Sequence, residues 1–210
     1  MTSSWISNTD VVYWIRVVLL WINTLFFVLP HLHNSSLLNN FLWFTRWGVN
    51  LTELALITSV WAMQYHEYVI YTIDFKYLAI WLNSTAQAVN LVVTVVSWIA
   101  IIPWYWFNVG WDTFDNVMRQ INSMTVHTVP LILTTINIFL LSDTAFKVTD
   151  SWLVPLVSVS YLLISWIYTK STGEYLYYFL TWQDVETTLP FAIGVVTSGL
   201  VVYLLDCLLT

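Results

Sequence analysis

Long apolar runs separated by short polar segments dominate the chain, and six of these runs approach the length that a helix needs to cross a bilayer. The runs lack the alternation of apolar and polar residues that marks a strand, and a helix satisfies its own backbone groups inside lipid. The predicted spans are 11–30, 49–65, 79–104, 124–141, 152–168 and 189–209. We therefore predict an all-α fold, a polytopic membrane helical bundle of about six transmembrane helices that forms a single domain over residues 1–210.

The composition agrees with a membrane protein, because 59% of the residues are hydrophobic and only 9% are charged. With 6 Lys and Arg in total and no basic stripe, the chain lacks the electrostatic footprint of a nucleic-acid-binding protein. The single cysteine, Cys207, excludes an intramolecular disulfide and a multi-cysteine metal site. Only His31, His33 and His127 could share one depth as histidine ligands, and we predict neither a metal nor a cofactor.

The connections between the spans are short, and no internal repeat or second domain is evident. With six spans, both termini share one membrane side with the second and fourth connections, whereas the first, third and fifth connections lie on the other side. Lys and Arg are divided evenly between the two sides, so the positive-inside rule assigns no orientation. Arg16, inside the first span, is expected to extend to the interface or to pair with an acid in the bundle.

Two polar residues inside the spans lie at matching depths. Thr52 and His127 each follow the start of a span that runs inward from the side of the odd-numbered connections, so each lies about 5–8 Å below the same membrane face. A neutral imidazole there could accept the proton of a hydroxyl that attacks a carbonyl, which is the minimal pair for acyl transfer. The alternative roles are a threonine bonded to the carbonyl one turn back and a structural histidine.

The fourth span has two further features near this histidine. Ser123 lies one helical turn before His127 on the same face and could hold one imidazole nitrogen, which would fix the tautomer of the other. Pro130 has no N–H and clashes with the carbonyl of Val126, so a bend is expected beside His127. A polar notch near the interface follows from both.

Charged residues surround the predicted notch. Glu53 directly follows Thr52 and could be protonated, paired with Arg16 or Arg46, or placed at the interface. Arg119 and Lys170 come from the third and fifth connections, where the notch should open. They are either part of a solvated rim or the cations that receive a substrate carboxylate.

Three segments of the chain resemble a known family. They are RWGVNLTELALI around Thr52, NSMTVHTVPLIL around His127, and TGEYLYYFL in the fifth connection. Together they look like the androgen-induced protein 1 / androgen-dependent TFPI-regulating protein family of multispanning hydrolases, over about residues 11–190. The resemblance implies an intramembrane hydrolase of fatty acid esters of hydroxy fatty acids, with Thr52 as nucleophile and His127 as base. It also implies membrane lipids as partners and a place in the endoplasmic reticulum or plasma membrane.

A noncatalytic function is the alternative. Glu53 stands where members of that family tend to have an aromatic or aliphatic residue, and tryptophan is abundant along compact connections. Such a chain could serve as a structural subunit of a larger membrane complex, for example in the mitochondrial inner membrane, with other membrane subunits as its partners.

Overall fold

A computed structural model describes residues 8–33, 42–64, 75–140 and 146–209. Within these ranges the chain is helical and contains no strand, which confirms the all-α class. The α-helices are α1 Asn8–His33, α2 Phe44–Gln64, α3 Phe75–Val96, α4 Ile102–Asn108, α5 Phe114–Phe139, α6 Leu153–Thr172 and α7 Val185–Leu209. A π-helical segment, Ser97–Ile101, joins α3 to α4 in one continuous stretch, and a short 3₁₀ turn, Val148–Asp150, precedes α6.

Five helical stretches begin before the predicted spans, and the difference is largest for α2 and α5. α2 begins at Phe44 instead of 49, and α5 begins at Phe114 instead of 124. The hydroxyl of Thr113 caps α5 by accepting a hydrogen bond from the Asn116 N–H at 3.2 Å, so the helix extends over polar residues that an apolar window leaves out. The ends of the second and fourth predicted spans, Tyr65 and Leu141, lie outside the described residues.

Three helical stretches are long and apolar enough to cross a membrane. They are Phe75–Asn108, Val148–Thr172 and Thr188–Leu208, which correspond to the third, fifth and sixth predicted spans. Among the described residues, α2 and α5 are long enough, with 21 and 26 residues, but neither contains a window of that hydropathy. The structure is therefore compatible with an integral membrane protein, and six helical stretches are present where six spans were predicted.

Helix α3 lies at the centre of the bundle and contacts α2, α5, α6 and α7. Small residues make this position possible: Ala79, Ala86 and Ala88 are fully buried. The crossing with α2 is especially close, because a Cβ atom on Gly48 would collide with the Oδ1 of Asn90. An alanine at position 48 would therefore require the Asn90 side chain to move.

Four polar residues, spaced four, three and four apart, form one face of α3, which we call the polar stripe: Asn83, Gln87, Asn90 and Thr94. Asn83 Nδ2 donates to Ser59 Oγ of α2 at 2.9 Å, and Gln87 Oε1 accepts from the Thr134 hydroxyl of α5 at 2.7 Å. Buried polar groups cost free energy unless they are bonded, and these bonds join different helices. The polar stripe therefore fixes how α2, α3 and α5 pack.

Arg16 does neither of the two things expected from the sequence. Its side chain is only 4% exposed, so it does not extend to the surface, and its described partners include no acid. The guanidinium donates to Asn137 Oδ1 and to the Leu140 carbonyl, both at 3.1 Å. A cation is favourable beside the carbonyl groups at a helix C-terminus, so Arg16 ties α1 to the end of α5.

Candidate functional site

A cavity of about 670 Å³ opens at the end of the bundle where α2 and α5 begin. Its volume lies in the range of small-molecule sites, about 300–1,000 Å³. We call it the polar cavity, because it contains two arginines and a histidine among aromatic rings. Its lining consists of Trp43, Thr45, Arg46, Ile101, Trp104, Tyr105, Arg119, Asn122, Ser123, Val126, His127, Tyr175, Leu176, Tyr177 and Tyr178.

His127 lies in the wall of this cavity and is 8% exposed. Its Nδ1 is 2.5 Å from the backbone carbonyl of Ser123. A carbonyl can only accept a hydrogen bond, so Nδ1 carries the proton and Nε2 has the lone pair of a neutral imidazole. No described side chain or backbone group bonds to Nε2, and this nitrogen is therefore free to act as a base.

The backbone carbonyl of Ser123 holds one imidazole nitrogen, because the ring folds back along the helix toward the preceding turn. The sequence indicated Ser123 as an orienting residue but not which of its atoms would serve. The Ser123 hydroxyl is buried and lines the polar cavity without a hydrogen-bond partner among the described residues. It is therefore a buried polar atom whose hydrogen-bonding capacity is unused in this arrangement.

Thr52 is fully buried and does not line the polar cavity. Its hydroxyl donates to the Gly48 carbonyl at 2.8 Å and accepts from Asn90 Nδ2 at 2.8 Å. No hydrogen bond joins Thr52 to His127 in the described part of the chain. The bond to the carbonyl one turn back is thus the arrangement adopted, and depth matching alone did not bring the two groups together.

Helix α3 connects these two residues. Asn90 donates to the Thr52 hydroxyl of α2, and Thr94, one turn further, donates to the backbone carbonyl of His127 in α5 at 2.5 Å. The sequence offered no partner for Thr52 on the third span. Asn90 is one of several polar residues in that span. Which of them meets Thr52 depends on the face that α3 packs against α2, and the sequence alone does not give this face.

The other candidates divide between the cavity and distant surfaces. Arg119 lines the polar cavity, whereas Lys170 is exposed in the last turn of α6 and does not. Glu53 faces α1, where it accepts hydrogen bonds from Asn23 at 2.8 Å and Thr24 at 2.7 Å. Its partners are therefore neutral donors, and neither Arg16 nor Arg46 pairs with it.

Arg46 is a charged residue of the cavity that the site prediction left out. It lies in the first turn of α2, and the sequence indicates it only as a possible partner of Glu53. Two guanidinium groups in one cavity favour an anionic or carbonyl-rich ligand, because each presents several donors in a planar fork. The position of Arg46 before an apolar span was the signal that could have found it.

The fold and the site define a helical protein, compatible with membrane integration, that has a histidine-containing cavity at one end of its bundle. Comparisons with models of protein families, with characterised proteins and with solved structures found no significant match to this chain. Its proposed function therefore depends on the geometry of the polar cavity and on the resemblance of the three segments around Thr52, His127 and the fifth connection.

Proposed function

We propose that the chain is an intramembrane lipid ester hydrolase whose six helical stretches cross the bilayer and whose substrate binds in the polar cavity. One observation carries the proposal: the Nε2 of His127 is a free acceptor in the wall of a cavity of about 670 Å³. A neutral imidazole with one nitrogen oriented by a carbonyl is suited to general base catalysis. Arg46 and Arg119 supply positive charge for the oxygen atoms of the substrate.

The proposed reaction uses Thr52 as nucleophile and His127 as base, as the resemblance implies. The Thr52 oxygen bonds to the ester carbonyl carbon while its proton passes to His127 Nε2, and the tetrahedral intermediate then expels the alcohol, which takes that proton. Water hydrolyses the acyl-threonine by the same route and restores both residues. Because the Thr52 hydroxyl donates to Gly48, the proposal requires a conformational step in which it exchanges that carbonyl for His127.

The proposal is tested by the hydrolysis of a fatty acid ester of a hydroxy fatty acid by the purified full-length chain in lipid nanodiscs. We expect Thr52→Ala and His127→Ala each to lower kcat by about 10²-fold or more, because each removes a reacting group. Thr58→Ala is the matched control, since Thr58 lies in the same helix, is buried and donates to the Leu54 carbonyl at 2.8 Å. It should retain the activity of the wild-type chain.

The two variants also separate the roles. Wild-type activity in both would refute the proposed hydrolase site. Loss of activity in His127→Ala with full activity in Thr52→Ala would keep His127 as base and assign the attacking oxygen to water or to another hydroxyl.

A noncatalytic lipid-binding subunit of a larger membrane complex is the second candidate. It is favoured by the engaged hydroxyl of Thr52 and by the exposed apolar faces of α6 and α7, which include Leu163 at 54% and Val201 at 54%. Extraction in a mild detergent distinguishes the two functions. A chain that elutes alone and hydrolyses the ester fits an endoplasmic reticulum or plasma membrane enzyme, whereas co-elution with other membrane subunits, without hydrolysis, fits a complex such as those of the mitochondrial inner membrane.

A further inference from the structure

A second, smaller cavity adjoins the polar cavity. It has a volume of about 40 Å³ and lies between α3, α6 and α7. Apart from Thr45, Ser97 and two tyrosines, its wall is aliphatic and aromatic. Helix α7 contributes Phe191 and Val195 to this wall. We call it the apolar cavity.

The two cavities share three wall residues: Thr45, Ile101 and Tyr177. Ile101 ends the π-helical segment, and π-helical turns are often found at functional sites because they displace side chains from the regular helical register. Tyr177 comes from the segment between α6 and α7. These three residues form the boundary between the polar cavity and the apolar cavity.

Aromatic rings line the way from one cavity to the other. The ring of Trp43 is 5.3 Å from that of Tyr177, Tyr177 is 5.1 Å from Phe179, and Phe179 is 4.4 Å from Phe191. Trp43 lines only the polar cavity and Phe191 only the apolar one, so the series spans both. Flat apolar rings give a hydrocarbon chain a continuous surface to contact.

This order of surfaces matches an amphiphile, with charged and hydrogen-bonding groups at one end and hydrocarbon at the other. A volume of 40 Å³ has room for about three or four water-sized groups, so it fits the tip of a chain and not its whole length. The polar cavity is large enough for the remainder of the molecule.

We propose that the apolar cavity is an acyl-chain subsite: it binds the terminal carbon atoms of a fatty acyl chain whose carboxyl or ester end lies beside His127. The identity of the ligand as the acyl part of an ester rests on the proposed function. The subsite selects chain length, because a chain that is too short does not reach the cavity and a chain that is too long exceeds its volume of about 40 Å³. Val195 and Phe191 are therefore specificity-determining residues.

Two opposite substitutions on α7 test the subsite. Val195→Phe adds volume to the wall and should shift the preferred chain to a shorter length, whereas Phe191→Ala removes volume and should shift it to a longer one. Val201→Phe is the matched control, since it makes the same change on the same helix at a position that is 54% exposed and lines neither cavity. Its chain-length profile should equal that of the wild type.

Binding is the readout, so the test does not depend on turnover. The full chain in nanodiscs is titrated with saturated fatty acids of increasing length, and bound ligand is measured by native mass spectrometry. For each methylene group that Val195→Phe excludes from the cavity, we expect about a fourfold loss of affinity for the longer acids.

Opposite shifts in Val195→Phe and Phe191→Ala support the subsite even in a protein that hydrolyses nothing. If either variant fails to fold, the other still shows whether the profile moves. Profiles that coincide with the wild type overturn the subsite, even where ester hydrolysis confirms the function proposed for the polar cavity.

Discussion

At the scale of single residues, the buried polar atoms fall into two groups. The polar stripe of α3 has bonds to other helices at each of its four positions. By contrast, Asn23 Oδ1, Gln120 Oε1, Ser123 Oγ and Thr169 Oγ1 are buried and have no hydrogen-bond partner among the described residues. A buried unsatisfied polar atom costs about 1–3 kcal/mol. Of these four atoms, Ser123 Oγ is the one that belongs to a residue lining the polar cavity.

The close contact at Gly48 gives a prediction at the same scale. Gly48→Ala places a methyl group against the Asn90 side chain, and we expect the free energy of unfolding to fall by about 1–3 kcal/mol, as in other overpacked cores. Unfolding in mixed detergent micelles measures the change. Gly194→Ala is the control, because a Cβ there meets nothing within 4 Å and alanine should stabilise the helix by about 0.5–1 kcal/mol. Equal effects of both substitutions would contradict the predicted crossing.

At the scale of the elements, the sequence predicted the helices well and their mutual faces poorly. Apolar runs revealed each helical stretch, and the cost of a polar residue in such a run pointed to His127. Arg119 was expected near the site because the third connection lies where the notch should open. Depth matching said nothing about which side of α2 meets α3. Thr52 therefore bonds to Asn90, and Arg16 to Asn137, through faces that pair only when the bundle is assembled.

The contact of α1 with α5 gives the second prediction, a double-mutant cycle. Arg16→Met leaves Asn137 Oδ1 with one donor fewer, and Asn137→Ala leaves a buried guanidinium with one acceptor fewer. Each change should lower the free energy of unfolding by about 1–3 kcal/mol, and the pair should be coupled by about 0.5–3 kcal/mol. Arg16→Met combined with Thr197→Ala, an exposed residue of α7, should be additive. Additivity in both pairs would show that Arg16 and Asn137 do not interact.

At the scale of the whole molecule, three helical stretches carry the clearest membrane signal, and the polar contacts lie among α1, α2, α3 and α5. α1, α6 and α7 expose many large apolar side chains, as lipid-facing helices do. α3 carries the polar stripe and is still apolar enough to cross a membrane. Polar contacts between helices are therefore compatible with a membrane-spanning helix.

Six spans predict which connections share a membrane side. In a Cys207→Ser background, Asp112→Cys and Glu174→Cys should react with a membrane-impermeant maleimide from one side of sealed vesicles, and Lys147→Cys from the other. All three positions are exposed in the fold, so a difference in labelling would report the membrane side and not burial within the protein. Labelling of Lys147→Cys from the same side as Asp112→Cys would rule out the six-span arrangement.

The polar stripe of α3 also constrains how the protein is made. Gln87 bonds to Thr135, which follows it by 48 residues, so α3 leaves the ribosome well before its partner on α5 exists. If α3 spans the bilayer as proposed, Gln87 would lack this partner until α5 is synthesised, which is unfavourable for a polar side chain in lipid. Synthesis of α5 would then be the step that completes the polar contacts of α3.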